Sequence, residues 1–373
     1  MAQSLHLSRE GELYVQFDGS FWQIPILGDY SFSQGTNITE VTLAEMSDSS
    51  NNSRRGKRAF TDSVAPAEFS FSTYARPYTD SDDHRAVEDV LWALFAGATN
   101  YDAAEASGNI YDDGAGTPVT VINSDTTDLS INFAGSNKLT FGDANFWFKL
   151  PASSDGGADL WYKLTGAVLS EASLDFDLEG ITTVSWSGMA QTLTDESAPT
   201  LGTLASDATA IGATSNFIRN RLTQLDITPD SEINGGTAYS LVLTGGNISI
   251  SNNPTFVTPE SLGVVNKPLG HVMGNRTVTG SFTCYLDNDT DRSAELVQDL
   301  LNATSQITNN FDLVFKVGGT TAGTPRVNFT MANAHLEVPS HNVEDVISIE
   351  CSFHALPSNI SDTDEILIDY FGA

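Results

Sequence analysis

Histidines, cysteines and closely spaced carboxylates are the side chains of this chain that could do chemistry, and their spacing limits what they can do. His6, His84, His271, His335, His341 and His354 are scattered, and no Cys or His stands at the short spacings of a zinc site. No G-x-S-x-G elbow, H-E-x-x-H, phosphate-binding loop or dinucleotide fingerprint occurs. Asp287-Asn-Asp-Thr-Asp291 places oxygen ligands as the first half of a calcium loop does. However, Arg292 stands where the turn glycine belongs and Gln298 where the closing glutamate belongs. We read it as a helix-capping turn, echoed by Asp80-Ser-Asp82. Cys284 shares a strand face with Phe282, and Cys351 with Ile349 and Phe353, so both read as inert buried thiols. The expectation is a protein that is not an enzyme and has no cofactor and no metal.

One cluster does not fit a bland surface. Arg54, Arg55, Lys57 and Arg58 put four of the 17 basic residues into a single polar loop. Such a loop is either solvated or docks on a carboxylate-rich neighbour through paired Arg–carboxylate contacts. Its counterpart later in the chain, Pro259 to Arg276, is apolar, with Leu262, Val264, Val265, Leu269, Val272 and Met273. An apolar loop of that kind marks an interface segment.

The elements that position these loops are mostly strands. Val346 to Ala355 alternates Ile347, Ile349, Cys351 and Phe353 with Ser348, Glu350, Ser352 and His354, a strand with one buried face. Glu68 to Tyr74, Leu129 to Phe133 and Asn247 to Ser251 read the same way. Two amphipathic helices interrupt them. The segment Asp83 to Ala98 carries the stripe Val87, Val90, Leu91, Leu94, Phe95, and Arg292 to Ala303 carries Leu296, Val297, Leu300, Leu301. Asp80, Asp82 and Asp83 before the first, and Asp287, Asp289 and Asp291 before the second, are placed to cap them.

Matches between the two halves fall in one order. Gly28–Ser33 matches Gly246–Ser251, Phe71–Tyr74 matches Phe282–Tyr285, and Leu91 matches Leu300. Phe148–Leu150 then matches Phe315–Val317, Ala167 matches Ala334, and Ile181–Ala190 matches Val346–Ala355. The offset falls from 209 to 167 between the third and fourth matches, so the first half carries about 42 extra residues around 100–142. We expect a duplicated domain: copy 1 over 1–194, a linker over 195–215 rich in Ala, Thr, Ser and Gly, and copy 2 over 216–373. Two copies in one chain suit a closed ring built by head-to-tail contacts.

Composition excludes other classes. The 373 residues carry 48 acidic and 17 basic side chains, a net charge of −31, which disfavours a non-specific nucleic-acid binder or an anionic membrane surface. The longest apolar run, Val90 to Ala98, is about half of the ~20 residues a spanning helix needs. The start of the chain lacks a secretory pattern, and two cysteines cannot make a disulfide framework. A cytoplasmic globular protein is the expectation.

The stretch from Arg54 to Tyr78, Val184-Ser-Trp-Ser-Gly188 and Phe353-His-Ala-Leu-Pro-Ser358 carry a resemblance. It spans about residues 5 to 370 and is to the major tail tube protein of long-tailed siphophages, in the subgroup with an internally duplicated tube domain. The resemblance implies a mainly β fold of two tandem β-sandwich or split-barrel domains, each with a flanking helix. It also implies trimeric, pseudo-hexameric rings sharing an inner β-barrel, stacked into a hollow tube for phage DNA. Implied partners are other copies of the chain, a tape-measure protein in the lumen, tail terminator and tail-tip proteins, and transiting double-stranded DNA without specific binding. The implied location is the virion tail, after assembly in the host cytoplasm. A loop of family members that reaches towards the next ring corresponds here to Ser47 to Ser63. Arg54, Arg55, Lys57, Arg58, Val264, Val265 and Leu269 are therefore the expected inter-ring contacts. The expectation is that the immunoglobulin-like decoration of some members is absent after Asp369-Tyr-Phe-Gly-Ala373. The competing expectation is a tandem β-sandwich adhesin, carbohydrate-binding module or baseplate component, in which Trp147, Trp161 and Trp186 line a flat face.

Overall fold

Alternating apolar and polar residues become strands wherever one face can be buried, and in this chain that happens along most of its length. A computed structural model describes residues 6–41, 50, 58–110, 118–133, 143–152, 157–262, 264–302 and 311–372. It is mainly β. The first half runs β1 (Glu12–Phe17), β2 (Ser20–Ile24), β3 (Ser31–Val41), β4 (Arg58–Tyr74), β5 (Pro77–Asp80), β6 (Asp83–Ala86) and α1 (Asp89–Ala96). It continues with β7 (Asn100–Asp102), β8 (Ser107–Ile110), β9 (Val119–Ser124), β10 (Leu129–Asn132), β11 (Ala144–Leu150), β12 (Leu160–Asp177), β13 (Thr183–Ala190) and β14 (Thr192–Glu196). The second half runs α2 (Ala208–Gly212), β15 (Gln224–Pro229), β16 (Tyr239–Ser240), β17 (Leu243–Ser251), β18 (Thr255–Val257), β19 (Gly270–Val272) and β20 (Thr277–Tyr285). It ends with α3 (Ser293–Asn302), β21 (Phe311–Val317), β22 (Arg326–Leu336), β23 (Ser340–Asn342), β24 (Ser348–Ala355) and β25 (Leu367–Phe371).

The same pairing order occurs twice. In the first half β1, β11, the start of β12 and β14 form one layer. The end of β12 then pairs with β13, β13 with β4, and β4 with β3. A bulge between Leu169 and Glu171 lets the long β12 pass from one layer to the other. In the second half β15, β21, β22 and β25 repeat the first layer, and β22 with β23, β24, β20 and β17 repeat the second.

The halves meet strand to strand. β17 lies antiparallel along β12, from Glu171 opposite Ser251 to Asp177 opposite Gly245. One continuous sheet therefore runs β3, β4, β13, β12, β17, β20, β24, β22 with β23. It does not close on itself. Among the described residues β3 pairs only with β4, and no strand lies on the outer edge of β22 and β23 beyond Ala334.

Behind this sheet sits the core. Phe69, Phe71, Phe146, Phe148 and Trp186 fill the first half and Phe282, Phe315, Phe329 and Phe353 the second, each contributing about 1.5–3 kcal/mol by burial. All eight residues of α1 are buried, and Gly97 ends the helix at φ 93°. Two details depart from the sequence reading. The segment from Asp83 begins as strand β6, turned back on β5 through Ser81 and Asp82 at positive φ, so the helix starts only at Asp89. Asp80, Asp82 and Asp83 therefore belong to that turn and do not cap α1, whose N-cap position is Glu88.

The extra residues of the first half form an antiparallel meander, β7 to β10, whose last strand pairs with β25. They thus bind the first half to the last strand of the chain. Trp92 Nε1 on α1 adds a hydrogen bond to Tyr370 Oη at 2.9 Å. The segment between the halves is strapped down as well. Ala205 N donates to Phe21 O at 2.8 Å, and Asp207 caps α2. Buried Arg76 donates to the carbonyls of Ala210, Ile211 and Ala213 at 2.8–2.9 Å and to Asn216 Oδ1, with Phe217 beneath it.

Candidate functional site

The continuous sheet has one face in the core, so its other face carries the polar half of each alternation. Across strands these residues fall into rows. Ser72, Ser185, Ser173, Ser249, Thr279 and His354 stand opposite one another in turn, and so do Ser70, Ser187, Glu171, Ser251 and Thr277. A third row runs Thr183, Asp175, Asn247, Ser281, Ser352. Short hydroxyls suit such a face because they bond across strands: Ser31 with Ser70 at 2.9 Å, Ser72 with Ser185 at 3.3 Å, Ser249 Oγ to Glu171 Oε1 at 2.8 Å. The charges on it are carboxylates, at Glu68, Glu171, Asp175, Asp177 and Glu350. No Lys or Arg stands in the three rows named above. The face is a carpet of hydroxyls and negative charge, with no Lys or Arg in its rows to pair with a phosphate.

A second feature rises from the sheet. β3 and β4 continue past the core as a long exposed hairpin, to Val41 opposite Arg58. The 258–272 segment of the second half leans on it: Val64 N donates to Asn266 O at 2.8 Å and Asn266 N to Asp62 O at 3.1 Å. Ile38 and Phe60 on the hairpin, and Leu262, Val264, Val265 and Leu269 on the segment, are exposed. Val264 and Val265 line a groove of about 960 Å³ with Asn37, Asp62 and Ala65. Of the expected inter-ring residues, Val264 and Val265 thus come to the hairpin's stem, Leu269 follows on the same segment, and Arg58 begins the hairpin's second strand. Arg54, Arg55 and Lys57 lie outside the described residues. Arg58 to Ser63, expected within a loop, are strand because they pair with β3.

The side chains with chemical potential are used structurally. Asp287 Oδ1 accepts from Asp289 N at 3.1 Å, Asp291 N donates to Glu295 Oε2 at 2.6 Å, and Ser293 Oγ donates to Tyr285 O, bonds that shape the turn leading into α3. Burial pushes the thiols of Cys284 and Cys351 up to about 12. Arg85 and Asp89 form a buried ion pair at 3.3 Å, and Arg85 also holds Ala103 O at 2.9 Å. Burial pushes the carboxyl of Glu88 up to about 7, against the pull of Arg76 N and Tyr370 Oη. Trp186 is in the core, hydrogen-bonded to Thr73 at 3.0 Å, and Trp147 and Trp161 pack with Tyr14 and Phe21. A flat sugar-binding face made by these three is therefore not formed.

Sequence reasoning missed the hydroxyl face and the two open strand edges. The signal for the face was present as Ser and Thr at alternate positions in every second-layer strand.

Over residues 10–355 the chain matches the family described as phage tail tube protein. The chain belongs to that family. It is also 27% identical over 351 residues to the tail tube protein pb6 of Escherichia phage T5, covering 92% of this chain and 69% of that one. This tail tube protein is thus a structural component of a siphophage virion tail, with the mainly β architecture its sequence led us to expect. No helix among its described residues is long and apolar enough to cross a membrane.

Proposed function

We propose that this tail tube protein consists of two copies of one domain, about 1–194 and 216–373, joined by 195–215. Three chains close into a pseudo-hexameric ring, and rings stack into a hollow tube. The observation that carries this reading is the continuous sheet with one hydroxyl and carboxylate face and two open edges. A sheet closed around a lumen loses its edges and becomes a stiff conduit. With the polar face inward, double-stranded DNA meets neutral and negative groups and slides without adhering. The hairpin of β3 and β4, with the 258–272 segment, then lies free to meet the next ring. A tape-measure protein fills the lumen during assembly in the host cytoplasm, and terminator and tip proteins cap the ends.

Electron microscopy and native mass measurement of the purified chain test this reading. Rings of three chains, or hollow tubes, are expected; a persistent monomer, or rings of six chains, overturns it.

A further inference from the structure

We propose that the junction inside the chain, β12 against β17, is repeated between chains: the outer edge of 337–343 in one copy pairs antiparallel with the 29–35 edge of the next, Ser340 opposite Ser33. The proposal rests on the ring reading and adds the partner edges and their register.

The register follows from the pairing. Within the chain Ser173 of β12 stands opposite Ser185 on one side and Ser249 on the other, and Ser249 stands opposite Thr279. The matches between halves carry Ser185 to Glu350, and Glu350 stands opposite Ser340, so Ser340 is the counterpart of Ser173. They also carry Glu68 to Thr279, and Glu68 stands opposite Ser33, so Ser33 is the counterpart of Ser249. Ser173 opposite Ser249 thus becomes Ser340 opposite Ser33. Aligning the similar stretches Gly28–Ser33 and Gly246–Ser251 by sequence instead puts Ser31 there. Strand pairing fixes the level of one strand against its neighbours, whereas residue similarity does not, so the pairing decides. Both registers keep side chains on their proper faces, since they differ by two residues.

Burial at the two open edges supports the same partner. Phe176, on the core side of β12, is 4% exposed, while its counterpart Val343 is 75% exposed. Ile248 of β17 is buried and its counterpart Phe32 of β3 only half-buried. Each open edge therefore shows partly uncovered apolar side chains where the internal junction has buried ones. β3 leaves its straight register after Gln34, which limits the contact to a short stretch. Pro339 removes one donor from the other edge, a common restraint on an unpaired strand.

The geometry of the internal junction also supplies the test. Asn252 N donates to Ser170 O at 2.8 Å, which makes Ser173 and Ser249 a non-hydrogen-bonded pair, the kind whose side chains lie closest. Ser33 and Ser340 inherit that proximity, and both are exposed in the single chain. Chains carrying Ser33→Cys are mixed with chains carrying Ser340→Cys, assembled and oxidised; native Cys284 and Cys351 are buried and do not interfere. Disulfide-linked pairs of chains are expected from the mixture and from neither variant alone. The double variant is expected to give linked species ending at three chains. If rings form, as microscopy shows, but Ser31→Cys crosslinks to Ser340→Cys in place of Ser33→Cys, the register is overturned. If rings form and neither pair crosslinks, the junction itself is overturned. Absence of rings in the unaltered protein refutes the ring reading instead.

Discussion

Two buried side chains set the stability of the region where the halves join. Arg76 satisfies three carbonyls and an amide oxygen at once, a fork that lysine cannot reproduce. Arg76→Ala takes its donors from Ile211 O, Ala213 O and Asn216 Oδ1, while Ala210 O keeps Asn216 Nδ2, and is expected to cost about 2–4 kcal/mol in denaturant unfolding and to speed protease cleavage within 195–215. Cleavage at the wild-type rate would show that the strap holds without it. Glu88 gives a pH effect of unusual sign. Its folded value of about 7 lies above the 4.5 of a free glutamate, so an unfolded chain releases this proton first as pH rises. Stability from this group is full below about pH 4.5 and is lost as pH climbs to about 7. The difference in stability between wild type and Glu88→Gln should shift in favour of the variant across that window and then stay flat. A difference independent of pH would assign the window to other carboxylates.

At the scale of elements, the sequence was most informative where one rule acted alone. Strict alternation in Val346 to Ala355 yields β24 (Ser348–Ala355) nearly residue for residue, and the stripe from Leu296 to Leu301 falls inside α3. It was least informative where tertiary contacts overrode local pattern. Val87 fits the helical stripe of α1, but Asp83–Ala86 is held as strand by pairing with β5, and Arg85 there turns inward to Asp89. Similarly, 195–215 has the composition of a flexible linker, yet it is bound by Arg76, a residue far away in sequence. The outer part of β4, Arg58 to Ser63, was legible only as a loop, because the pairing with β3 that makes it a strand is not written in either strand alone. The exposed Ile38 and Phe60 of the β3–β4 hairpin, and Leu262 and Leu269 on the 258–272 segment, should matter for stacking and not for ring closure. Phe60→Ser with Leu269→Ser is expected to leave rings intact and shorten tubes, as is changing Arg54, Arg55, Lys57 and Arg58 together to Ser; tube lengths measured by microscopy that match the wild type would make both loops merely solvated.

For the whole molecule, the hydroxyl and carboxylate face offers a direct test of the proposed passage of DNA. Replacing Ser173, Ser185 and Ser249 with Arg adds a basic row to the face while leaving the core side of those strands untouched. Rings or tubes of this variant should retain double-stranded DNA at low salt and release it as salt rises, with a slope that reports the added phosphate contacts. Wild-type assemblies should show no such retention. DNA bound equally by both would place the face away from the lumen.

The β12–β17 junction has a kinetic consequence as well. Half of the seams in the proposed ring are never left to chance encounter, because their two edges travel on one polypeptide and meet at a far higher effective concentration than separate molecules do. A ring of three then needs only two collisions before its last seam closes internally, and far fewer incomplete arcs accumulate along the way. On the proposed reading, duplication thereby turns a many-body assembly problem into a short one, which suits a tube built ring upon ring.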